Sequence, residues 1–326
     1  MKLIQDNGMP IYGRLAKAPI EFNILDYQNQ FLKARLKRKI RYKKFSFIGI
    51  QHQNYALGLA IADLAWVGHG FYYAYQRDTH QYLDYHGLQP FALHTQVQEY
   101  TSKGQFNYFK HQNIEIYSKD TIKYRKVDIR RNDDILAEFK ILKKPEQQGL
   151  YLCSPTGIRG WTFTHKSMCL PVQGYFNFND EKIEFDQSTH ASLDDSCGFL
   201  RPETEWFWLS CQTYIDGHHI GINLASGVNE SVGNENCLWI DQQLMALNDV
   251  IFNPIHDHIW HIYSIDGQID LRVKTGWSRA EQINAGFVAS EFNQWLAEIK
   301  GKIGTSERHI EIDHAHALFE QHYAKW

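Results

Sequence analysis

The chain has 326 residues, 43% of them hydrophobic and 22% charged, with a formal net charge of −3 when histidine is neutral. This composition excludes a disordered chain, and the small net charge supplies no field that would draw the protein to nucleic acid or to an anionic membrane surface. The length points to two domains, or to one large β domain. Aromatic residues stand out at 14%, with nine Trp, eighteen Tyr and nineteen Phe. Such side chains fit pleated, half-buried surfaces and line ligand pockets; most aromatics are core, so the count favours a β fold more than it favours a ligand.

The first residues, Met1 to Gly8, contain no apolar run of the kind a secretion signal needs. No run of about 18 apolar residues occurs, which argues against integral membrane association through a helix. The five cysteines, Cys153, Cys169, Cys197, Cys211 and Cys237, are odd in number, scattered and without a Cys-x-x-Cys pair. They read as free, mostly buried thiols in a reducing compartment, so the expected location is cytoplasmic.

In chain order, the first distinctive stretch is 33–44, with eight basic residues in twelve. Arg35, Lys37, Lys39, Arg41 and Lys43 alternate with Ala34, Leu36, Ile40 and Tyr42, which predicts a solvated strand rather than a binding patch. Short strand-like runs follow at Phe45 to Ile50, Ala56 to Trp66, Gly70 to Tyr75, Ile114 to Tyr117 and Ile135 to Leu142. Turn residues at 132–134 and 145–149 punctuate them. A strand-and-turn repeat at about ten-residue spacing predicts an antiparallel, nearly all-β sandwich or barrel. Two hairpins are expected later, one at Phe178 to Lys182 and one turning at Asp266-Gly267, where both turn positions tolerate positive φ.

Residues 151–241 hold the unusual chemistry. A strand over 203–208 places Thr204, Trp206 and Trp208 on one face and Glu203, Glu205 and Phe207 on the other. An Asp-rich turn and an Arg precede it, so a carboxylate can stand beside an aromatic wall. Burial would raise that carboxylate's pKa and suit it to general-acid work. The plainer alternative is a core strand with a turn aspartate and a surface Arg–Glu pair.

These stretches resemble an uncharacterised bacterial family of domain-of-unknown-function proteins. The likeness rests on Thr164 and Lys166; Leu170, Pro171, Val172 and Gly174; Trp206 and Trp208; Asn223, Leu224, Ser226, Gly227 and Val228; and Glu235, Trp239 and Asp241. It departs from the family's Arg-x-Thr, since two residues separate Arg201 from Thr204. The closing segment Phe319 to Trp326 resembles the family's final Glu-x-His-x-x-x-Trp, which puts Glu320 and His322 on one face of an extended segment. A more distant similarity is to the carotenoid hydratase (hydroxyneurosporene synthase) group. That resemblance implies two lipocalin-like, calycin-type antiparallel β-barrel or curved-sheet halves with few short helices. The expected division is 1–200 and 201–326, with an uncertainty of tens of residues. It also implies an unsaturated apolar substrate, protonated by a carboxylic acid beside aromatic faces that stabilise developing positive charge.

The candidate site residues follow: Asp195, Glu320 and His322 for catalysis, and Lys166, Arg201, Trp206, Trp208, Asn223, Glu235 and Trp239 for ligand binding. They are expected to converge in space. Three functions stay open: a carrier of an isoprenoid, fatty acyl or polyketide-type molecule in an apolar cavity, a cofactor-independent hydratase, isomerase or cyclase, and a buried polar network without chemistry. No cofactor is expected, and no nucleic-acid partner. Nucleotide-binding and serine-hydrolase motifs are absent. Of the 17 histidines, His256, His258 and His261 form the densest run. On a strand only His256 and His258 share a face, so no metal is assigned there, and the same discount applies to Asp313-His-Ala-His316.

Overall fold

The structure is a computed structural model that describes residues 1–99, 105–228, 232–284, 289–305 and 308–325. Trp326, expected to close the C-terminal motif, lies outside the described residues. The chain divides into two compact units: residues 1–153 with 157–200, and residues 201–326 with 154–156.

Unit 1 begins with β1 (Gly13–Arg14), the helix α1 (Arg35–Arg41), β2 (Lys43–Gln51), β3 (Tyr55–Asp63), β4 (Val67–Gln76) and β5 (Tyr82–Pro90). It continues through β6 (Thr95–Gln96), β7 (Phe106–His111), β8 (Ile114–Asp120), β9 (Tyr124–Arg131) and β10 (Asp134–Leu142). It ends with β11 (Leu150–Pro155), β12 (Trp161–Phe178), β13 (Glu181–Glu184) and β14 (His190–Gly198). Unit 2 contains β15 (Glu203–Ile215), β16 (His218–Ser226), β17 (Cys237–Ile240), β18 (Gln243–Ala246) and β19 (Val250–His256). Its remaining strands are β20 (Ile259–Ser264), β21 (Ile269–Asn284), β22 (Ala289–Gly304) and β23 (His309–Lys325). The nearly all-β class expected from the strand-and-turn repeat is present. No helix among the described residues is long and apolar enough to cross a membrane.

In unit 1 the strands run β5-β4-β3-β2-β14-β12-β10-β9-β8-β7-β6, with antiparallel ladders throughout. The two ends approach each other, so the sheet curls into a nearly closed barrel. Glycines make that approach possible. An added Cβ would lie 2.3 Å from the Phe109 ring at Gly70 and 2.4 Å from the His111 ring at Gly87, and these two glycines pair across β4 and β5. A side chain at either position would hold the seam open.

Period-two alternation sends one face of each strand inward. Ile48, Leu59, Val127, Phe139, Val172 and Leu193, among others, form one buried apolar cluster. Each such side chain contributes about 1.5–3 kcal/mol by leaving water. A second cluster joins Leu3, Tyr27, Leu32 and Tyr42 of the N-terminal segment to Trp161, Phe163, Cys197 and Phe199. In unit 2 the order is β18-β17-β16-β15-β23-β22-β21-β20-β19, a half-barrel around Leu209, Ile222, Leu238, Val273, Ile299 and Phe319. The five cysteines are free and buried, as expected.

Three local expectations change. The basic stretch forms helix α1 over Arg35–Arg41 rather than a strand. Leu36 and Ile40 are spaced four apart as well as alternating, and Arg, Lys and Leu favour helix over strand. Three cations in its last turn also suit the negative end of the helix dipole. The second hairpin is longer than a two-residue turn: Gly267 N–H donates to Ser264 O (3.0 Å), and only Gly267 of the Asp-Gly pair has positive φ, at +74°. Asp266 instead accepts from Ser264 Oγ at 2.5 Å. Finally, His258 sits in the turn after β19 at φ +64°, so it does not share a strand face with His256. The Phe178–Lys182 hairpin forms as expected, with Asn179 and Asp180 both at positive φ.

Candidate functional site

Asp195 is where the sequence argument meets the interior of unit 1. On β14, Ala191 and Leu193 belong to the apolar cluster, and Asp195 continues the same face. Polar groups on neighbouring strands do likewise: Ser46 in phase with Ile48, Ser118 and Asp120 with Ile116, and Arg125 with Val127 and Ile129. His165 follows Phe163 on β12 and faces Asp195 across the ladder. A band of charged groups therefore crosses the barrel between its two apolar clusters.

The band is tightly bonded. Arg125 donates to both Asp195 oxygens, from Nη1 to Oδ1 (3.0 Å) and from Nη2 to Oδ2 (2.9 Å), in a two-pronged pair. Its Nε donates to Asp120 Oδ2 at 2.9 Å, and Lys143 also bonds Asp120. Ser46 Oγ donates to Asp195 Oδ1 at 2.7 Å. Asn107 Nδ2 donates to Ser46 Oγ (3.3 Å) and to Ser118 Oγ (3.2 Å). Arg125 is 1% exposed, so its charge is held by carboxylates rather than water.

The electrostatics reverse one expectation. Burial alone would push the Asp195 carboxyl up, but Arg125 and then His165 hold it well below the ordinary carboxylate range. Asp195 is thus a fixed anion, not a proton donor at neutral pH. His165 is pushed down, chiefly by burial, although Asp195 opposes the shift. Its imidazole is neutral at pH 7. Because an ionised carboxylate only accepts, the Nδ1 that stands 3.2 Å from Asp195 Oδ2 carries the proton. Nε2 then accepts from Ser167 Oγ at 3.1 Å. Tyr151 stacks on the imidazole, with ring centroids 5.1 Å apart. Immediately beyond Ser167 the ladder bulges, and Cys169 adopts φ +56°, an uncommon conformation for a non-glycine residue.

Beside the Arg125–Asp195 pair lies a cavity of about 10 Å³, lined by Gln98, Asn107, Asp120 and other polar groups. That volume suits one water molecule. A larger space of about 510 Å³ is an open groove among N-terminal side chains including Lys2, Asp6, Asn23 and Arg38. Neither is the apolar chamber expected from the sequence.

Of the other sequence candidates, Lys166 lies in unit 1 but on the opposite face of β12 from His165. It pairs with Asp194, and Thr164 Oγ1 bonds Ser196 Oγ at 2.9 Å on the same side. Alternation along the ladder therefore separates Lys166 from Asp195. Arg201 is exposed and bonds the main-chain oxygen of Gly227, so its guanidinium ties down a loop.

The remaining candidates collect on the face of the unit 2 sheet that points away from its apolar cluster. Trp206 Nε1 donates to Glu320 Oε1 (2.7 Å), and Gln294 Nε2 donates to Oε2 (2.9 Å). His322 lies with Nδ1 4.0 Å from Glu320, its ring 4.2 Å from that of Trp206 and its Nε2 2.9 Å from Ser290 Oγ. Trp208, opposite Glu320 in the ladder, donates to Asn223 Oδ1 at 2.8 Å. Asn223 in turn donates to the main-chain oxygen of Glu235 (2.8 Å). Trp239 is fully buried on the same face, across the ladder from Gly221. Thr204, Trp206 and Trp208 thus share a face, and Phe207 packs on the apolar side, as the alternation required. Within unit 1, Asp195 and Lys166 lie on opposite faces; the Trp206–Glu320 cluster belongs to unit 2. Arg125, His165, Asp120, Ser46 and Asn107 were missed. Their signal is a polar residue in phase with apolar ones along a strand.

Each histidine of the run at 256–261 has its own polar neighbour. His256 Nδ1 lies 3.2 Å from Asp257 O, His258 Nδ1 3.3 Å from Thr275 Oγ1, and His261 Nε2 2.8 Å from Asp270 Oδ1.

The architecture defines an antiparallel β-barrel protein with a second, half-closed unit. Within that class, the chain belongs to the family described as domain of unknown function DUF2804, whose model matches residues 12–326. No curated protein matches it. Among solved structures it is similar to kievitone hydratase from Nectria haematococca, at 11% identity and a TM-score of 0.48, covering 87% of this chain and 89% of that one. It is also similar to a protein of Nitrosomonas europaea described as a putative AttH, at 12% identity and a TM-score of 0.48, covering 94% and 99%.

Proposed function

We propose that the protein binds a largely apolar small molecule, of isoprenoid, fatty acyl or polyketide type, whose polar end is received at the charged band of the unit 1 barrel. The observation that carries this reading is the Arg125–Asp195 pair, buried and two-pronged at the centre of a polar band and bordering a water-sized polar space. Replacing such a pair by apolar side chains is often neutral or stabilising, so stability gives little reason to keep it. A ligand's hydroxyl or carbonyl can occupy that space beside the Arg125 guanidinium. A ligand bound by the folded protein alone raises its stability. A cytoplasmic location and the division at 200/201 into two domains belong to the same reading; the buried free thiols support the former.

The test is native mass spectrometry, with solvent extraction of protein purified from its own host. A co-purifying apolar molecule that rebinds the stripped protein supports the reading. Stripped protein that binds none of the extracted lipids, and whose melting temperature none of them raises, refutes it.

One observation favours catalysis as a second reading. His165 is a neutral imidazole oriented by a fixed anion on Nδ1, the arrangement a general base needs. In this reading His165 Nε2 takes or returns the substrate proton, Asp195 is a positioning residue, and Glu320 with His322 remains a candidate acid site in unit 2. Incubation with the extracted molecule in heavy-oxygen water or deuterium oxide tests it. Mass incorporation that His165→Asn abolishes supports hydration or isomerisation; an unchanged ligand leaves a binder.

A further inference from the structure

Strands β22 and β23 carry a second chemical feature, remote in kind from the barrel band. Along β23, Ile310 and Ile312 enter the apolar cluster, but so do Ala315, Ala317 and Phe319. The inward positions change from even to odd. The cause is a β-bulge: Ile299 pairs with Ala315 and Gly301 with Ile312, so Asp313 and His314 together stand opposite Lys300. Gly301 accommodates it at φ +139°, where an added Cβ would come within 2.1 Å of Asp270 O.

The bulge re-aims side chains. Without it, alternation from Ile312 would turn His314 and His316 toward the core. With it, both point outward beside Glu298, which pairs directly with His316 across the ladder. The two imidazoles meet edge to face, centroids 5.0 Å apart. One ligand atom from each of Glu298, His314 and His316 lies within 4.8 Å of the other two. Among the described residues this is the cluster of three such groups close enough to share an ion.

The geometry points to a binding site for a divalent transition-metal ion, zinc foremost, held by Glu298, His314 and His316 with at least one coordination position open to water. Zinc–ligand bonds of about 2.0–2.2 Å place ligand atoms about 3.4 Å apart in a tetrahedral site. The three side chains must therefore close by up to about 1.4 Å, a small rotation for groups at the surface. Two nitrogens and one carboxylate suit zinc and its first-row neighbours and disfavour calcium and magnesium, which take oxygen ligands. The cation that could compete for Glu298 is Lys274, which stands opposite it in the ladder with β21. An exposed lysine–carboxylate contact is worth about 0–1 kcal/mol, too little to withhold Glu298 from a metal. Three protein ligands and an open position match catalytic rather than closed structural zinc sites.

The test uses untagged full-length protein stripped with a chelator, then titrated calorimetrically with zinc chloride, with cobalt(II) absorption reporting the geometry. One equivalent of zinc should bind, and His316→Ala and His314→Ala should each weaken it about tenfold or more. His261→Ala, a histidine outside the cluster, should leave the titration unchanged. Absence of saturable heat, or binding that survives both substitutions, would overturn the proposal. Circular dichroism of each variant separates loss of a ligand from loss of fold.

Discussion

Asp195 and Glu320 are both buried carboxylates on long antiparallel ladders, and the sequence treated them alike. Their surroundings differ in kind. Asp195 faces the interior of a barrel and meets a guanidinium, an imidazole and a hydroxyl. Glu320 lies on the face turned away from its apolar cluster and accepts from an indole and a carboxamide. A cation beside a buried carboxylate locks it as an anion, whereas neutral donors satisfy its lone pairs without supplying opposite charge. Position on a strand sets burial; the residues in phase on neighbouring strands set the chemistry.

Substitutions should separate the two settings. The largest effect is expected for Arg125→Met, which leaves Asp195 buried without its guanidinium and should cost about 3–5 kcal/mol in urea denaturation. A loss below about 1 kcal/mol would mean that water reaches the band. Glu320→Gln should cost about 1 kcal/mol, because the carboxamide still accepts from Trp206. A larger loss would show that Glu320 carries a charge the fold relies on.

Acid titration sharpens the same contrast. His165 has a folded pKa below its unfolded value near 6.5, so the unfolded state binds the proton first as pH falls. Stability is therefore lost below about pH 6.5, by at most about 1.4 kcal/mol per pH unit for this proton. His165→Asn should flatten that part of the profile; an unchanged slope assigns it to other histidines. Asp195, with its folded pKa depressed, contributes stability above its unfolded value near 3.9 that is lost as pH falls further. The smallest effect is expected for Arg201→Ala, within about 0.5 kcal/mol by thermal melting, since its guanidinium is exposed.

The fold class was legible because turn residues and period-two alternation are local properties. The Asn179-Asp180 hairpin and the two faces of β15 follow from them directly. Helix α1 was not, because Leu36 and Ile40 satisfy both periods and only propensity separates the two. Asp195 and the Trp206–Glu320 group were found through a motif resemblance, but the partners of Asp195 were not. Arg125 and His165 reach it from strands 70 and 30 residues away in sequence. Ladder pairing decides such meetings, and no spacing within one strand reveals them. The change of phase at Asp313 and His314 was hidden for the same reason: a bulge is a relation between two strands.

The most direct test of the account compares ligand occupancy in Asp195→Asn and Glu320→Gln by native mass spectrometry, with circular dichroism confirming that both are folded. The account predicts that the co-purifying molecule is lost from Asp195→Asn and retained by Glu320→Gln. Retention by folded Asp195→Asn, with loss from Glu320→Gln, would contradict it and move the binding centre to unit 2.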